Sequence, residues 1–534
     1  MKKILFKSFL SASFTAAFLS CTPAIPEKRD TETILKDLTQ NVREEKARQY
    51  LTYLASDEMA GRDTPSPELE RAAEYIADRF KEFGVEPING TYMQPYNLQR
   101  TYLSEPNMLT FFKNGERVSM EIKDDFIPFD ITGSGNISGA KIVFVGYGIT
   151  APEYKYDDYE NVDVRGKVVM VLRGEPQMND SASIFNGRQW TRYGWMNSKV
   201  RTAAKNGAIG FMYINDPVTS ARLKPVGFPW PSLYKSMVAA EMPLTLELKD
   251  SPKIPVVHVG ERTAEQLFGS VEALKSLQLG IDNSLKKASY ELSNITVNLQ
   301  VTTRQEKVLV KNVAGIIRGS GNTDEYVVIG AHYDHVGHHA GQPGEKDTIY
   351  NGADDNASGT TGIILIAEAF SKIKERPKRN IVLVAFSGEE KGLYGSRAYV
   401  ENSPLPIGNC VAMINMDMIG RNHPDSVSIG GQSRSLQLAE INEAENQAFS
   451  KPFILNYNIE DFFFRSDQAN FARKRIPVLF YFTGEHEDYH KVGDHVEKIN
   501  FTKLTQITRL ASRVVWRVAE MEGRLLYVPQ GGEE

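Results

Sequence analysis

Three segments decide the fold: EYVVIGAHYDH (325–335), NIVLVAFSGEE (380–390) and CVAMINMDMIG (410–420). Each is a short apolar run that ends in acids or a histidine. Runs of this length, apolar on both faces, are the pattern of strands buried between two layers, as in parallel sheets. Between the first two lies SGTTGIILIAEAFSKI (358–373), long and apolar enough for a covered helix. Strand, helix, strand, helix predicts an α/β class, a mostly parallel sheet flanked by helices. A fourth run, IPVLFYFTG (476–484), adds another strand before YHKVGD (489–494).

Working outward, residues 135–298 carry a second set of strand signals: AKIVFVGYGI (140–149), GKVVMVLRG (166–174) and IPVVHVG (254–260). KVRTAAKNGAIGFMYI (199–214) reads as a helix running into a further strand. None of these gathers titratable groups. Upstream, Leu51, Leu54, Ala55 and then Ala72, Ala73, Ile76, Ala77 and Phe80 recur at helical spacing before Gly84. Residues 92–134 alternate like strands. The expected division is a signal segment at 1–20, a tether and first part of the main unit at 21–134, an inserted β-rich unit at 135–298, and the main unit at 299–534.

Composition narrows the function. The 534 residues are 41% hydrophobic, which supports a large core. Lys+Arg 62 against Asp+Glu 67 is not the balance of a general nucleic-acid binder. Cys21 and Cys410 are the only cysteines, so a metal here must be held by His, Asp and Glu. Cys410 opens an apolar strand and reads as core.

The N-terminus reads as an export signal. Lys2, Lys3 and Lys7 precede an uncharged run from Ser8 to Ser20, too short to span a bilayer, and Cys21 follows. Cys21 stands where a bacterial lipoprotein is cleaved and acylated, although Phe18 occupies a place where that pattern prefers Leu. The expectation is an exported, membrane-anchored lipoprotein facing the periplasm or cell exterior.

Chemistry concentrates at the strand ends. Of the 9 histidines only His258 lies outside residues 332–495. His332 and Asp334 follow the first apolar run, Glu389 and Glu390 the second, and Asp417 the third. NGADDNASG (351–359) is a Gly- and Asp-rich turn with Ser358 placed to cap a helix. Sites in open α/β sheets form outside the carboxyl ends of the strands, so these segments should converge. Imidazoles with carboxylates suit a pair of divalent ions, zinc foremost. Such a pair stabilises charge developing on a carbonyl, and an unligated carboxylate then moves the proton. Glu389 and Glu390 offer both roles side by side.

One motif competes. His486-Glu487-Asp488-Tyr489-His490 matches H-E-x-x-H, which on a helix would make a single-zinc endopeptidase site. It lies between Gly484 and Gly493 without a helical apolar stripe, and it leaves the other acids without a role. His335, His338 and His339 read as a solvated loop beside the site, His423 and His495 as surface, and His258 as structural.

AHYDH (331–335), GADDNASG (352–359), FSGEEKGLYGS (386–396), NMDMIG (415–420) and DYHKVGD (488–494) together resemble the signature blocks of the M28 family of co-catalytic zinc metallopeptidases. SDEMAGRDTPSPELERAAEYIADRF (56–80) is similar to that family's N-terminal segment. Residues 135–298 resemble a protease-associated (PA) domain through GKVVMVLRG and AAKNGAIGFMYIND (203–216). The resemblance implies a zinc exopeptidase fold and two zinc ions per chain. His332 and Asp417 would hold one, Glu390 and His490 the other, with Asp354 bridging. It further implies Glu389 as general base and Asp334 as the group fixing the tautomer of His332. The implied substrate is a peptide, trimmed from its N-terminus, with a carboxypeptidase of the same fold as the alternative.

Overall fold

The computed structural model describes residues 30–220, 222–234, 242–247, 253–342 and 345–530. The segment carrying Cys21 lies outside the described residues. Among them, no helix is long and apolar enough to cross a membrane.

The apolar runs are strands of one sheet. Tyr326–His332 pairs in parallel with Asn380–Phe386 on one side and Cys410–Met416 on the other, and Cys410–Met416 pairs in parallel with Val478–Phe482. Every residue of these four strands is buried. This is why they lack polar alternation: both faces are covered. On one face lies Gly359–Ser371, apolar around its circumference and buried through Phe370, flanked by Glu44–Leu54, Pro67–Glu82 and Phe501–Glu520. Tyr394–Glu401 and Gln468–Ala472 cover the other face. Truncating a fully buried Ile or Leu of that helix to Ala should cost about 2–5 kcal/mol.

The stop signal works as the sequence predicts: Gly84 ends the segment at φ +68°. At the other end Ser66 caps Pro67–Glu82 by accepting from the Leu69 amide. Ser358 departs from expectation. It precedes Gly359–Ser371, but its hydroxyl donates to the Asp354 carbonyl and accepts from Ile419 N–H, pinning the turn to the neighbouring loop.

The second unit has its own parallel strands, Gly135–Phe144, Val168–Leu172, Gly210–Ile214 and Val256–Val259. Strand Tyr290–Ile317 ties the units together. Its first half pairs antiparallel with Gly135–Phe144 and its last residues with Asn380–Phe386. The expected boundary at residue 298 therefore falls inside one continuous strand.

Candidate active site

The carboxyl ends of the four parallel strands deliver the sequence-selected groups to one place. Two sets of possible donor atoms lie within 4.8 Å of one another: His332, Asp355 and Asp417, and His335, Asp355, Glu390 and His490. His332 Nε2 is 3.2 Å from Asp417 Oδ1 and 3.4 Å from Asp355 Oδ1. His490 Nε2 is 3.1 Å from both Asp355 Oδ2 and Glu390 Oε2. The two oxygens of Asp355 thus face opposite sets.

This corrects the expectation for Asp354. Its Oδ1 accepts from Gly420 N–H at 2.6 Å, and its Oδ2 lies 3.5 Å from His486 Nε2, away from the cluster. The cause is the turn itself. Asp494 Oδ2 accepts the amides of both Asp354 and Asp355, and the Asp494 carbonyl accepts that of Ala353, so the successive side chains point to opposite sides. Spacing cannot separate two adjacent aspartates; only the turn geometry does.

Two further expectations change. His335 is not solvated: it is fully buried, with Nδ1 2.9 Å from Glu390 Oε1. The hydrogen-bond partner of His332 Nδ1 is the Asp334 carbonyl at 3.2 Å, while the Asp334 carboxylate is 3.7 Å away. That carboxylate instead accepts from the Thr64 hydroxyl and from Glu389 N–H, so it positions Glu389 as much as His332. His338 and His423 are exposed, and His258 is buried with Nδ1 accepting two backbone amides, as a structural residue should be. HEDYH is not helical. His486 and His490 reach different aspartates and Glu487 is exposed, so the single-zinc arrangement does not form.

The electrostatics are those of an anionic hole. Burial opposes charge on His332, but Asp417 and Glu389 push its pKa well above the ordinary imidazole value. His490 is lowered by burial yet pushed up to about 10 by Asp355 and Glu390. Burial, reinforced by Glu390 and Asp417, raises Glu389 far above the usual carboxylate range, against the pull of His332. Buried carboxylates in such number are neutralised by protonation or by a bound cation. Oxygen and imidazole donors at these separations suit zinc. Beside the cluster is a cavity of about 270 Å³ walled by Met418, Phe462, Phe464, Phe480, Phe482 and Tyr489.

Residues 312–515 match the model of peptidase family M28, and residues 139–267 match that of the PA domain. The chain carries an M28 peptidase domain with a PA domain ahead of it. A glutamate carboxypeptidase 2 homolog of Caenorhabditis briggsae is 26% identical over 74% of this chain and 54% of its own length. A probable glutamate carboxypeptidase of Arabidopsis thaliana is 26% identical over 64% of this chain and 47% of its own. The chain spans about half the length of these curated relatives. Among solved structures, an aminopeptidase from Aneurinibacillus sp. strain AM-1 is 20% identical, covering 93% of this chain and 98% of its own, with a TM-score of 0.45.

Around the M28 strand ends the structure adds a contributor that sequence reasoning missed, the Gly61–Thr64 turn. Arg62 is fully buried beneath the cluster. Its guanidinium donates to the carbonyls of Leu54, Tyr333, Asn351 and Gly352, the last three in the segments that carry His332 and Asp355. Burial lowers its pKa to about 10, against the surrounding carboxylates. Thr64 accepts from Gly388 N–H while donating to Asp334. Gly61 sits at φ +71°, and a Cβ there would fall 2.2 Å from the Gly337 carbonyl oxygen, so only glycine lets the turn pass this closely. An arginine in a segment of helical and turn character carries no sequence signal of burial, which is why it escaped notice.

Proposed function

We propose that the chain is a zinc-dependent exopeptidase with two metal sites sharing Asp355, acting as an aminopeptidase on peptides with an apolar N-terminal residue. The observation that carries this is the pair of donor sets meeting at Asp355, with Glu389 beside them. His332 and Asp417 would complete one site, and Glu390 and His490 the other. Two divalent ions held there would polarise the scissile carbonyl and acidify a water at the site.

The protein's own groups supply the rest. Glu389 lies 4.0 Å from His332 Nε2, outside both donor sets, and its backbone is held by Asp334. It is therefore placed to take a proton from the attacking water and return it to the departing amine nitrogen. The Asp334 carbonyl fixes His332 with Nδ1 protonated and Nε2 free to bind.

The choice of chain end rests on charge. Beyond the proposed metal ligands, the cavity is lined by Glu389 and Glu485 against one cation, Arg465, itself paired with Glu485 at 2.8 Å. A free ammonium is better matched there than a free carboxylate, and the phenylalanine wall suits an apolar side chain. Turnover of leucyl-amide and phenylalanyl-amide, abolished by chelation and absent on N-acetylated substrates, tests this. Preferential release of C-terminal residues would overturn it in favour of a carboxypeptidase.

From the N-terminal sequence alone we also propose export and acylation at Cys21, with the enzyme held on a membrane facing the periplasm or cell exterior. Stable anchoring needs more than one chain. Cys21→Ser should shift the protein out of the membrane fraction or leave an unprocessed precursor. A soluble wild type with an unmodified N-terminus would remove this proposal.

A further inference from the structure

Resting on that two-metal assignment, we propose that His335 is an additional protein ligand, so that the two metal sites are unequal. One site is closed by four donors, His335, Asp355, Glu390 and His490. The other has three, His332, Asp355 and Asp417, and keeps the open position beside Glu389.

The geometry around His335 carries the assignment. The ring is fully buried, and Nδ1 lies 2.9 Å from Glu390 Oε1 and 3.6 Å from Asp355 Oδ2. His490 Nε2 completes the set at 3.1 Å from the same two carboxylates. Four donors bonded to zinc at 2.0–2.2 Å in a tetrahedron stand roughly 3.3–3.5 Å apart, and the observed separations bracket that spacing. The rings of His335 and His490 approach the set at 77° to each other with centroids 5.6 Å apart, so neither blocks the other.

The surroundings hold the ring in this pose. The His335 amide donates to the Arg62 carbonyl. The ring packs against Gly352, where a Cβ would fall 2.5 Å from His335 Cγ, so the glycine makes room for the imidazole. Nε2 has no hydrogen-bond partner among the described residues, and the ring's polar contacts run through Nδ1 into the cluster. A surface histidine on a mobile loop would have none of these constraints.

Four protein ligands typify sites that hold zinc permanently, whereas three with an open position typify sites where chemistry occurs. The closed site should therefore fill first and release its ion last, leaving the site beside Glu389 as the exchangeable one.

Stepwise zinc titration of the chelator-stripped full-length protein, read by competition with a chromophoric chelator, tests this. Two affinity classes separated by at least about tenfold are expected for the wild type, since loss of even a group that only supports a ligand costs about that much. His335→Gln should weaken the tighter class by at least about tenfold, while His332→Gln should weaken the other. Equal affinities in the wild type, or an unchanged tight class in His335→Gln, would overturn the proposal. A wild type that binds no zinc, or one ion only, would instead refute the two-metal reading beneath it. A second measurement needs no variant: the first equivalent of cobalt(II) should show two hyperfine-shifted exchangeable imidazole N–H resonances, and a single one would overturn the proposal.

Discussion

The M28 and PA units solve the same structural problem in opposite ways. Both are built on parallel strands, and parallel strands gather loops and their polar groups at their carboxyl ends. In the PA unit the gap is filled from within. Lys199 is buried, and its ammonium donates to the carbonyls of Tyr147, Leu172 and Gly174, just past the ends of two strands. Asp158 accepts the amides of Tyr147 and Ile149, and Asp216 those of Thr219 and its hydroxyl. Donors and acceptors meet, and the end is closed. In the M28 unit the strand ends present acceptors to one another, and the buried cation Arg62 spends its donors on backbone carbonyls. A site is made by leaving the cluster short of positive charge, and the topology alone does not decide this.

Breaking the M28 side should have the largest effect. Glu389→Gln keeps the shape of the side chain but removes the proton acceptor, so turnover should fall about 10²–10⁴-fold with metal content unchanged. Steady-state rates on an aminoacyl-amide beside metal analysis decide it; near-normal turnover would show that another group moves the proton.

Next comes Arg62→Met, which strands the buried carbonyls of Leu54, Tyr333 and Asn351 and should cost on the order of 3 kcal/mol. The loss should be larger without zinc than with it, because the guanidinium offsets carboxylate repulsion that zinc also relieves. Thermal unfolding of stripped and loaded protein gives both numbers; equal losses would make Arg62 a purely structural residue.

The PA side sharpens the contrast through pH. Burial, with help from the Arg173 charge, lowers the His258 pKa to about 4, against about 6.5 in an unfolded chain. Between those values the unfolded chain binds the extra proton, so stability is complete above pH 6.5 and falls as pH drops towards 4, by up to about 3 kcal/mol. His258→Asn should flatten that slope. Denaturation at pH 7 and pH 4.5 measures it, read by tryptophan fluorescence, since Trp190, Trp195 and Trp230 lie in this unit.

The smallest effect should come from Lys199→Met. It leaves the carbonyls of the PA strand ends unpaired at a cost of roughly 1–3 kcal/mol, without altering zinc content. A change in zinc content would mean that the two strand ends are not independent.

The sequence carried the parallel sheet because both-face burial writes itself as unbroken apolar runs, as in VVIGA and VLVAF. It also carried the convergence of His332, Glu389, Glu390, Asp417 and His490, since strand ends must meet at one edge. What it could not carry were decisions made by turns and by distant segments. Asp354 and Asp355 differ only through the amides that Asp494 collects from 139 and 140 residues away. The same holds for His335, which lies in a polar, Gly-containing stretch and is buried between the Gly61–Thr64 turn, Gly352 and Glu390. The domain boundary was hidden for the opposite reason, because one strand of 28 residues serves both units without a break in pattern.

Zinc content per chain of Asp355→Ala beside Asp354→Asn tests most directly whether the strand ends form one shared metal centre. Asp355→Ala should lose both ions, because each donor set includes one of its oxygens. Asp354→Asn, which keeps an acceptor for Gly420 N–H, should retain both. Two zinc ions remaining in folded Asp355→Ala, or their loss from folded Asp354→Asn, would contradict the centre described here.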